Sequence, residues 1–213
     1  KKELRSVFRW IVWLALPIAV ITFFARGYVV AFIKNGGQPA IASVLGALVI
    51  SIFFRTLYHI MARTFYAQQD TRTPLYISIA TISLNIVLAI IFTQLFGWGV
   101  FGLAWAQSIV SVVEIAILLT ILHVRTPGIF NRKTLRSIIT MMIASAIMGV
   151  VTYFVVQMLQ LQSRDMNFMA VFPKFTVIVV VSFVVYIALS KVFKLEEADP
   201  IVAKLRQLLF GRV

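Results

Sequence analysis

The sequence predicts an all-α fold, a polytopic membrane helix bundle with six transmembrane helices. Three observations carry that prediction. Of 213 residues, 61% are hydrophobic and only 13% charged, with a mean hydropathy of +0.98; a soluble domain of this length exposes far more polar surface than such a composition supplies. Several apolar runs reach the roughly 20 residues needed to cross a hydrocarbon core about 30 Å thick. Short connections rich in Gly, Pro, Asn and Thr separate those runs.

Taken in order, the first span covers Trp10 to Ile33 and follows a basic amphipathic stretch, Lys1 to Arg9. Lys34-Asn35-Gly36-Gly37-Gln38-Pro39 is turn material before the second span, Ala40 to Ala62. Asp70-Thr71-Arg72-Thr73-Pro74 puts a proline at the start of the third, Leu75 to Phe96. Gly97-Trp98-Gly99 makes a tight turn into the fourth, Val100 to His123, and the fifth and sixth run from Ile138 to Leu159 and from Val171 to Val192. Such short loops imply an up-and-down bundle. Residues 1–126 form a four-helix unit, 127–192 an additional hairpin whose small residues Ala144, Ser145 and Gly149 allow close packing or a shallow groove, and 193–213 a tail. In that tail Ile201, Val202, Leu205, Leu208 and Leu209 share one helical face and Lys204, Arg206 and Gln207 another, which suits either a helix lying on an anionic leaflet or a solvated end. The chain begins at Lys1 inside a basic stretch, as expected of a piece of a longer polypeptide.

A net charge of +13 and a pI near 10.7 would, in a soluble protein, point to nucleic acid. Placed on the span map, the charge has another meaning. Fifteen of the 20 basic residues fall at one end of the spans, in the groups Lys1 to Arg9, Arg63 and Arg72, Arg125 to Arg136, and Lys191 to Arg212. Only Lys34, Arg164 and Lys174 fall at the other. Because Lys and Arg are retained on the cytoplasmic side, both ends of the chain are expected in the cytoplasm, with membrane lipid and not nucleic acid as the bulk partner. The two basic residues left inside spans are Arg26 and Arg55.

Ionised side chains at mid-bilayer cost about 2.5–3.5 kcal/mol on insertion scales, so they normally face a bundle interior or a watery cavity. Helical spacing sorts them into stripes. Ser51, Arg55, His59 and Arg63 recur every four residues on the second span; Ser78, Thr81 and Asn85 lie on one face of the third, and Gln107, Ser111 and Glu114 on one face of the fourth. Thr22 and Arg26 sit one turn apart on the first. The hydroxyl and amide residues fit ordinary hydrogen bonding between packed helices, and Arg26 or Arg63 can snorkel. Arg55 and Glu114 lie too deep for that, which leaves a cavity-lining role or a structural Arg55–Glu114 ion pair. The candidate cavity residues are therefore Arg26, Ser51, Arg55, His59, Asn85, Gln107 and Glu114.

Bond-making chemistry has little support. There is no cysteine, no Gly-rich phosphate loop and no His-Glu-x-x-His, and six of the seven acidic residues lie in loops or tails. The sequence therefore predicts neither an enzyme nor a cofactor or metal site. Binding and movement remain.

A recognisable string occurs at the second loop. Phe65-Tyr66-Ala67-Gln68-Gln69-Asp70-Thr71-Arg72-Thr73-Pro74 resembles the corresponding loop of the MurJ (also called MviN) lipid II flippases of bacteria, within the multidrug/oligosaccharidyl-lipid/polysaccharide exporter superfamily. Leu16-Pro17, Gly99-x-x-Gly102-Leu103-Ala104 and the two additional carboxyl-terminal spans are similar to that family too. The resemblance implies the ninth to fourteenth spans of a fourteen-span protein of the bacterial cytoplasmic membrane. It implies lobes that rock about a cationic cavity, a cargo of undecaprenyl-pyrophosphate peptidoglycan precursor, and a groove for the polyprenyl tail on the last two helices. In the loop motif, Asp70 is expected to cap the following helix with help from Thr71 or Thr73, and Pro74 to fix its first turn; Phe65 and Tyr66 complete the motif. Two other readings stay open: a polysaccharide or drug exporter of the same superfamily, and a non-transporting scaffold that recruits cell-wall synthesis proteins through basic residues such as Arg132, Lys133 and Arg136.

Overall fold

A computed structural model describes residues 2–33, 37–125, 131–160 and 168–199. Among these the chain forms seven helices and no strand: α1 (Lys2–Phe24), α2 (Arg26–Ile33), α3 (Pro39–Ala67), α4 (Arg72–Ile90) continued by a π-helical turn (Ile91–Leu95), α5 (Gly99–Arg125), α6 (Arg132–Met158) and α7 (Phe168–Val192). All but α2 are long and apolar enough to cross a membrane. The amphipathic tail expected over residues 200–210 lies outside the described residues.

Most helices extend beyond their apolar cores. α3 runs on to Ala67 and α6 starts at Arg132, because Lys and Arg are good helix formers whose charged heads reach water while their stems stay apolar. The first span differs from its expectation. It is two helices, separated at Ala25, although Ala25 N–H still bonds Ile21 O and Val29 N–H bonds Ala25 O, so the break is local. The Phe23 carbonyl beside it accepts a 2.9 Å bond from Arg26 Nη1, as basic side chains near helix ends often do.

The order of helices across the bundle is not their order in the chain. The α6–α7 hairpin packs on α1, α1 on α3, α3 on α5, and α5 on α4, so α5 lies between the consecutive helices α3 and α4. Small residues explain the exchange. Ala47 and Ser51 on α3 and Ala104, Ser108 and Ser111 on α5 are all buried, and interfaces of small residues let helix backbones approach closely in lipid.

The fifth and sixth spans pack on α1. A Cβ on Gly149 would stand 3.1 Å from Val20 Cγ1 and Phe24 Cε2. Thr152 and Ser182 share a 2.8 Å bond between α6 and α7. Trp13 Nε1 donates to Ser190 Oγ at 3.1 Å, and Tyr186 Oη donates to the Trp13 carbonyl at 3.0 Å.

The α4–α5 turn uses positive φ at Gly97 and Gly99 (+66° and +54°), where glycine has no Cβ penalty. The π turn is closed by Phe96 N–H to Ile91 O, and Trp98 N–H bonds Phe92 O. Phe92, Phe96 and Trp98 cluster there with ring centroids 5.4–5.9 Å apart. Gly102 lies directly beneath: an added Cβ would meet Phe92 Cβ at 2.9 Å and its backbone C and O at 3.0 Å. Gly102→Ala is therefore expected to destabilise the bundle by about 1–3 kcal/mol, read as a lowered thermal midpoint in detergent micelles.

Candidate functional site

The buried polar seam between α3 and α5 sets the site. Ser51 Oγ and Ser111 Oγ are 2.9 Å apart, Ser111 Oγ donates to Gln107 O at 2.8 Å, and Ser108 Oγ donates to Ala47 O at 2.6 Å. Since the one Ser111 proton is committed to Gln107 O, Ser51 is the donor between the two hydroxyls. Ser51 is thus a packing residue, 3% exposed, and does not line the cavity beside it.

That cavity, about 170 Å³, is walled by Arg55, Tyr58 and His59 from α3, Ser78, Thr81, Ile82 and Asn85 from α4, and Val110 and Glu114 from α5. The separate stripes on three spans meet here because α5 intervenes between α3 and α4. Arg55 and His59 are exposed on the open side, while Glu114 is 9% exposed.

Two hydrogen-bonded groups divide the cavity. In the first, the Gln107 amide stands 2.6 Å from the Asn85 amide. With its oxygen turned to Arg55, it accepts from Nε at 3.1 Å and Nη2 at 2.6 Å. A guanidinium has donors only, so this orientation is the one that satisfies it, and Asn85 then offers its own oxygen to the Gln107 NH₂. In the second, Ser78 Oγ and Thr81 Oγ1 donate to Glu114 Oε1 at 3.1 and 3.2 Å. Tyr58 Oη lies 2.7 Å from Ser78 Oγ and, because Ser78 gives its proton to Glu114, Tyr58 donates to Ser78. His59 packs edge-on to Tyr58 with centroids 5.7 Å apart. Arg55 and Glu114 share the cavity without forming an ion pair: the four ion pairs among the described residues all lie elsewhere.

Arg26 is elsewhere. It stacks on Phe23 at 4.8 Å from the ring centroid and fills the space over Gly46, where an added Cβ would stand 3.0 Å from Arg26 Cδ.

The loop motif forms a corner held by a residue that the sequence reading counted only as a topological charge. Asp70 Oδ1 accepts from Thr73 N–H at 3.0 Å and Oδ2 from Thr73 Oγ1 at 2.6 Å, so Asp70 caps α4. Thr71, at the first position before the helix, makes no side-chain cap bond, and Pro74 is buried in the first turn. Arg125, at the end of α5, pairs with Asp70 Oδ2, donates to Thr73 Oγ1 at 3.0 Å, and lies 5.8 Å over the buried Phe65 ring. Tyr66, Thr71, Pro74 and Leu75 wall a second cavity of about 400 Å³ that shares Tyr58 and Ser78 with the first. Corner and polar site are thus adjoining.

The Thr73 hydroxyl, the Thr73 N–H and Arg125, in that order, hold the Asp70 carboxyl well below the usual carboxylate range. A depressed folded-state value means that Asp70 stabilises the fold above the ordinary aspartate pKa of about 3.9 and that this contribution fades as pH falls below it. Asp70→Asn is expected to lower the thermal midpoint at neutral pH and to flatten the loss of stability below about pH 4, measured by melting curves across pH. An unchanged acid limb would show that Asp70 contributes nothing there.

The family described as "Lipid II flippase MurJ" matches residues 1–172. The chain is similar to a probable lipid II flippase MurJ of Vibrio cholerae serotype O1, 28% identical over 135 residues that cover 63% of this chain and 24% of the relative. It is also similar to one of Thermotoga maritima, 28% identical over 163 residues, covering 76% and 30%. The chain spans less than a third of the length of either relative. With a family match over most of its residues and six helices able to span a membrane, the chain belongs to the MurJ lipid II flippase family.

Proposed function

We propose that this chain supplies part of a flippase for lipid II, the undecaprenyl-pyrophosphate peptidoglycan precursor, in the bacterial cytoplasmic membrane, with both chain ends in the cytoplasm. The observation that carries the reading is the convergence of Arg55, His59, Asn85 and Glu114 from three helices on one open cavity. Similarity to the probable lipid II flippases of Vibrio cholerae and Thermotoga maritima supports the cargo.

In this reading Arg55 offers a permanently charged planar fork to the pyrophosphate, as guanidinium groups do to phosphate oxygens. Gln107 holds that fork in place before the ligand arrives, which lowers the ordering cost of binding. Glu114, which accepts from Ser78 and Thr81, ties the α4 wall of the cavity to the α5 wall beside it. The α3–α5 seam and the Arg125 corner keep the three walls together while the lobe rocks between two orientations, the alternating-access movement of repeat-built transporters. The α6–α7 hairpin serves the polyprenyl tail. No step makes or breaks a covalent bond.

The test uses the full-length protein carrying this chain. Arg55→Ala and Glu114→Ala are expected to reduce lipid II translocation about tenfold or more, the scale of a lost hydrogen bond to a charged group, at unchanged membrane abundance. Translocation is read as restored growth of a flippase-depleted strain. Normal cell-wall synthesis in both variants would sink the site assignment, and failure of the unsubstituted protein to complement would sink the cargo.

A further inference from the structure

The cavity at the α3–α4 corner differs in chemistry from the one it adjoins. It measures about 400 Å³, a size within the about 300–1,000 Å³ of small-ligand sites, and is walled by Tyr58, Tyr66, Thr71, Pro74, Leu75 and Ser78. None of these side chains is charged at neutral pH, whereas the neighbouring cavity holds Arg55, His59 and Glu114. Tyr58 and Ser78 belong to both walls, so one extended ligand can occupy both spaces, with its charged part at Arg55 and a neutral part at the corner.

The groups on the wall narrow the neutral part. Tyr66 is 51% exposed and Thr71 makes no side-chain cap bond, so a ring and a hydroxyl stand open to a ligand. Tyr58 Oη spends its proton on Ser78 Oγ at 2.7 Å and keeps its lone pairs as acceptors. The negative face of a phenol ring suits the C–H face of a sugar, and uncharged hydroxyls suit its O–H groups. A peptide bearing carboxylates would need a cation here, and no lining side chain supplies one. The spacing agrees. Arg55 and Tyr66 are 11 positions apart on α3, which puts them about 20° apart around the helix axis and about 16 Å apart along it. A pyrophosphate held at Arg55 and followed by a sugar ring therefore runs along a single face of α3 toward Tyr66.

We propose that the α3–α4 corner cavity is a subsite for an uncharged pyranose of the N-acetylhexosamine class joined directly to the pyrophosphate, with the ring packed on Tyr66 and its hydroxyls bonded by Thr71 and Tyr58. The inference rests on the reading that Arg55 takes the pyrophosphate. It makes Tyr66 and Thr71 specificity-determining residues: a lipid pyrophosphate that carries no sugar has nothing to place at the corner and is held less tightly than a glycosylated one.

The experiment is native mass spectrometry of the full-length protein carrying this chain, titrated with undecaprenyl pyrophosphate or with undecaprenyl-pyrophosphoryl N-acetylglucosamine. The glycosylated probe is expected to bind about tenfold more tightly, the scale of one or two net hydrogen bonds. Tyr66→Leu brings that ratio close to one, Tyr66→Phe, which keeps the ring, retains most of it, and Thr71→Val lowers it several-fold; Thr71→Val decides the matter if Tyr66→Leu does not fold. Arg55→Ala weakens both probes by a similar factor. Weakening of neither probe by Arg55→Ala would sink the pyrophosphate assignment, while a ratio still lost in Tyr66→Leu would uphold the sugar subsite. Equal binding of the two probes by the unsubstituted protein, a ratio kept in both Tyr66→Leu and Thr71→Val, or an equal loss of both probes in Tyr66→Leu would each overturn the proposal.

Discussion

The hydroxyl pair Ser51 and Ser111, 2.9 Å apart and buried between α3 and α5, fixes the geometry on which the polar site depends. Lipid chains are as apolar as leucine, so no hydrophobic force drives two spanning helices together; close packing and interhelical hydrogen bonds decide which faces meet. On these helices the small residues and the hydroxyls lie on the same faces. A one-residue slip of either helix would turn its stripe by about 100°, carrying Arg55 away from Gln107 or Glu114 away from Ser78 and Thr81. The Ser108 bond to the Ala47 carbonyl, 2.6 Å between the same two helices, fixes the same register.

Ties at one end of the molecule then extend the order outward. Arg125 links the end of α5 to the start of α4 and covers Phe65 at the end of α3, so three helices share one corner. Arg9, Lys133, Glu196 and Glu197 do the same for α1, α6 and the turn after α7. Lys133 and Arg9 hold the Glu196 carboxyl below its usual range, but that side chain is 61% exposed and its pairs are screened by salt. Glu197 is better buried, 4% exposed as a side chain.

The six spans were legible because hydropathy over about 20 residues needs no partner to be read. The stripes were legible too, since spacing of three or four residues fixes a face before any neighbour is known. What sequence could not supply was adjacency. An up-and-down order places α3 against α4, whereas Ala47 and Ser51 bring α5 between them. That exchange is why Glu114 meets Ser78 and Thr81 and why Arg55 turns to Gln107. The break at Ala25 escaped notice because Phe24-Ala25-Arg26 carries no proline to announce it. Arg125 was hidden by its position: a basic residue at a helix end explains itself by topology, and only its pairing with Asp70 shows a second duty. Asp70 itself, three residues before Thr73, was readable as a cap from local spacing alone.

The Ser51–Ser111 contact also has a history within each newly made copy of the chain. Its two residues are 60 positions apart, which at about 5–20 residues per second is a delay of about 3–12 s between their synthesis. During that interval α3 has emerged with Ser51, Arg55 and His59 while the helix that will satisfy Ser51 and Arg55 does not yet exist. The helices made before α3 are therefore the ones that receive it, α1 and α2 both packing on it, and Arg55 meets Gln107 only once α5 has been made.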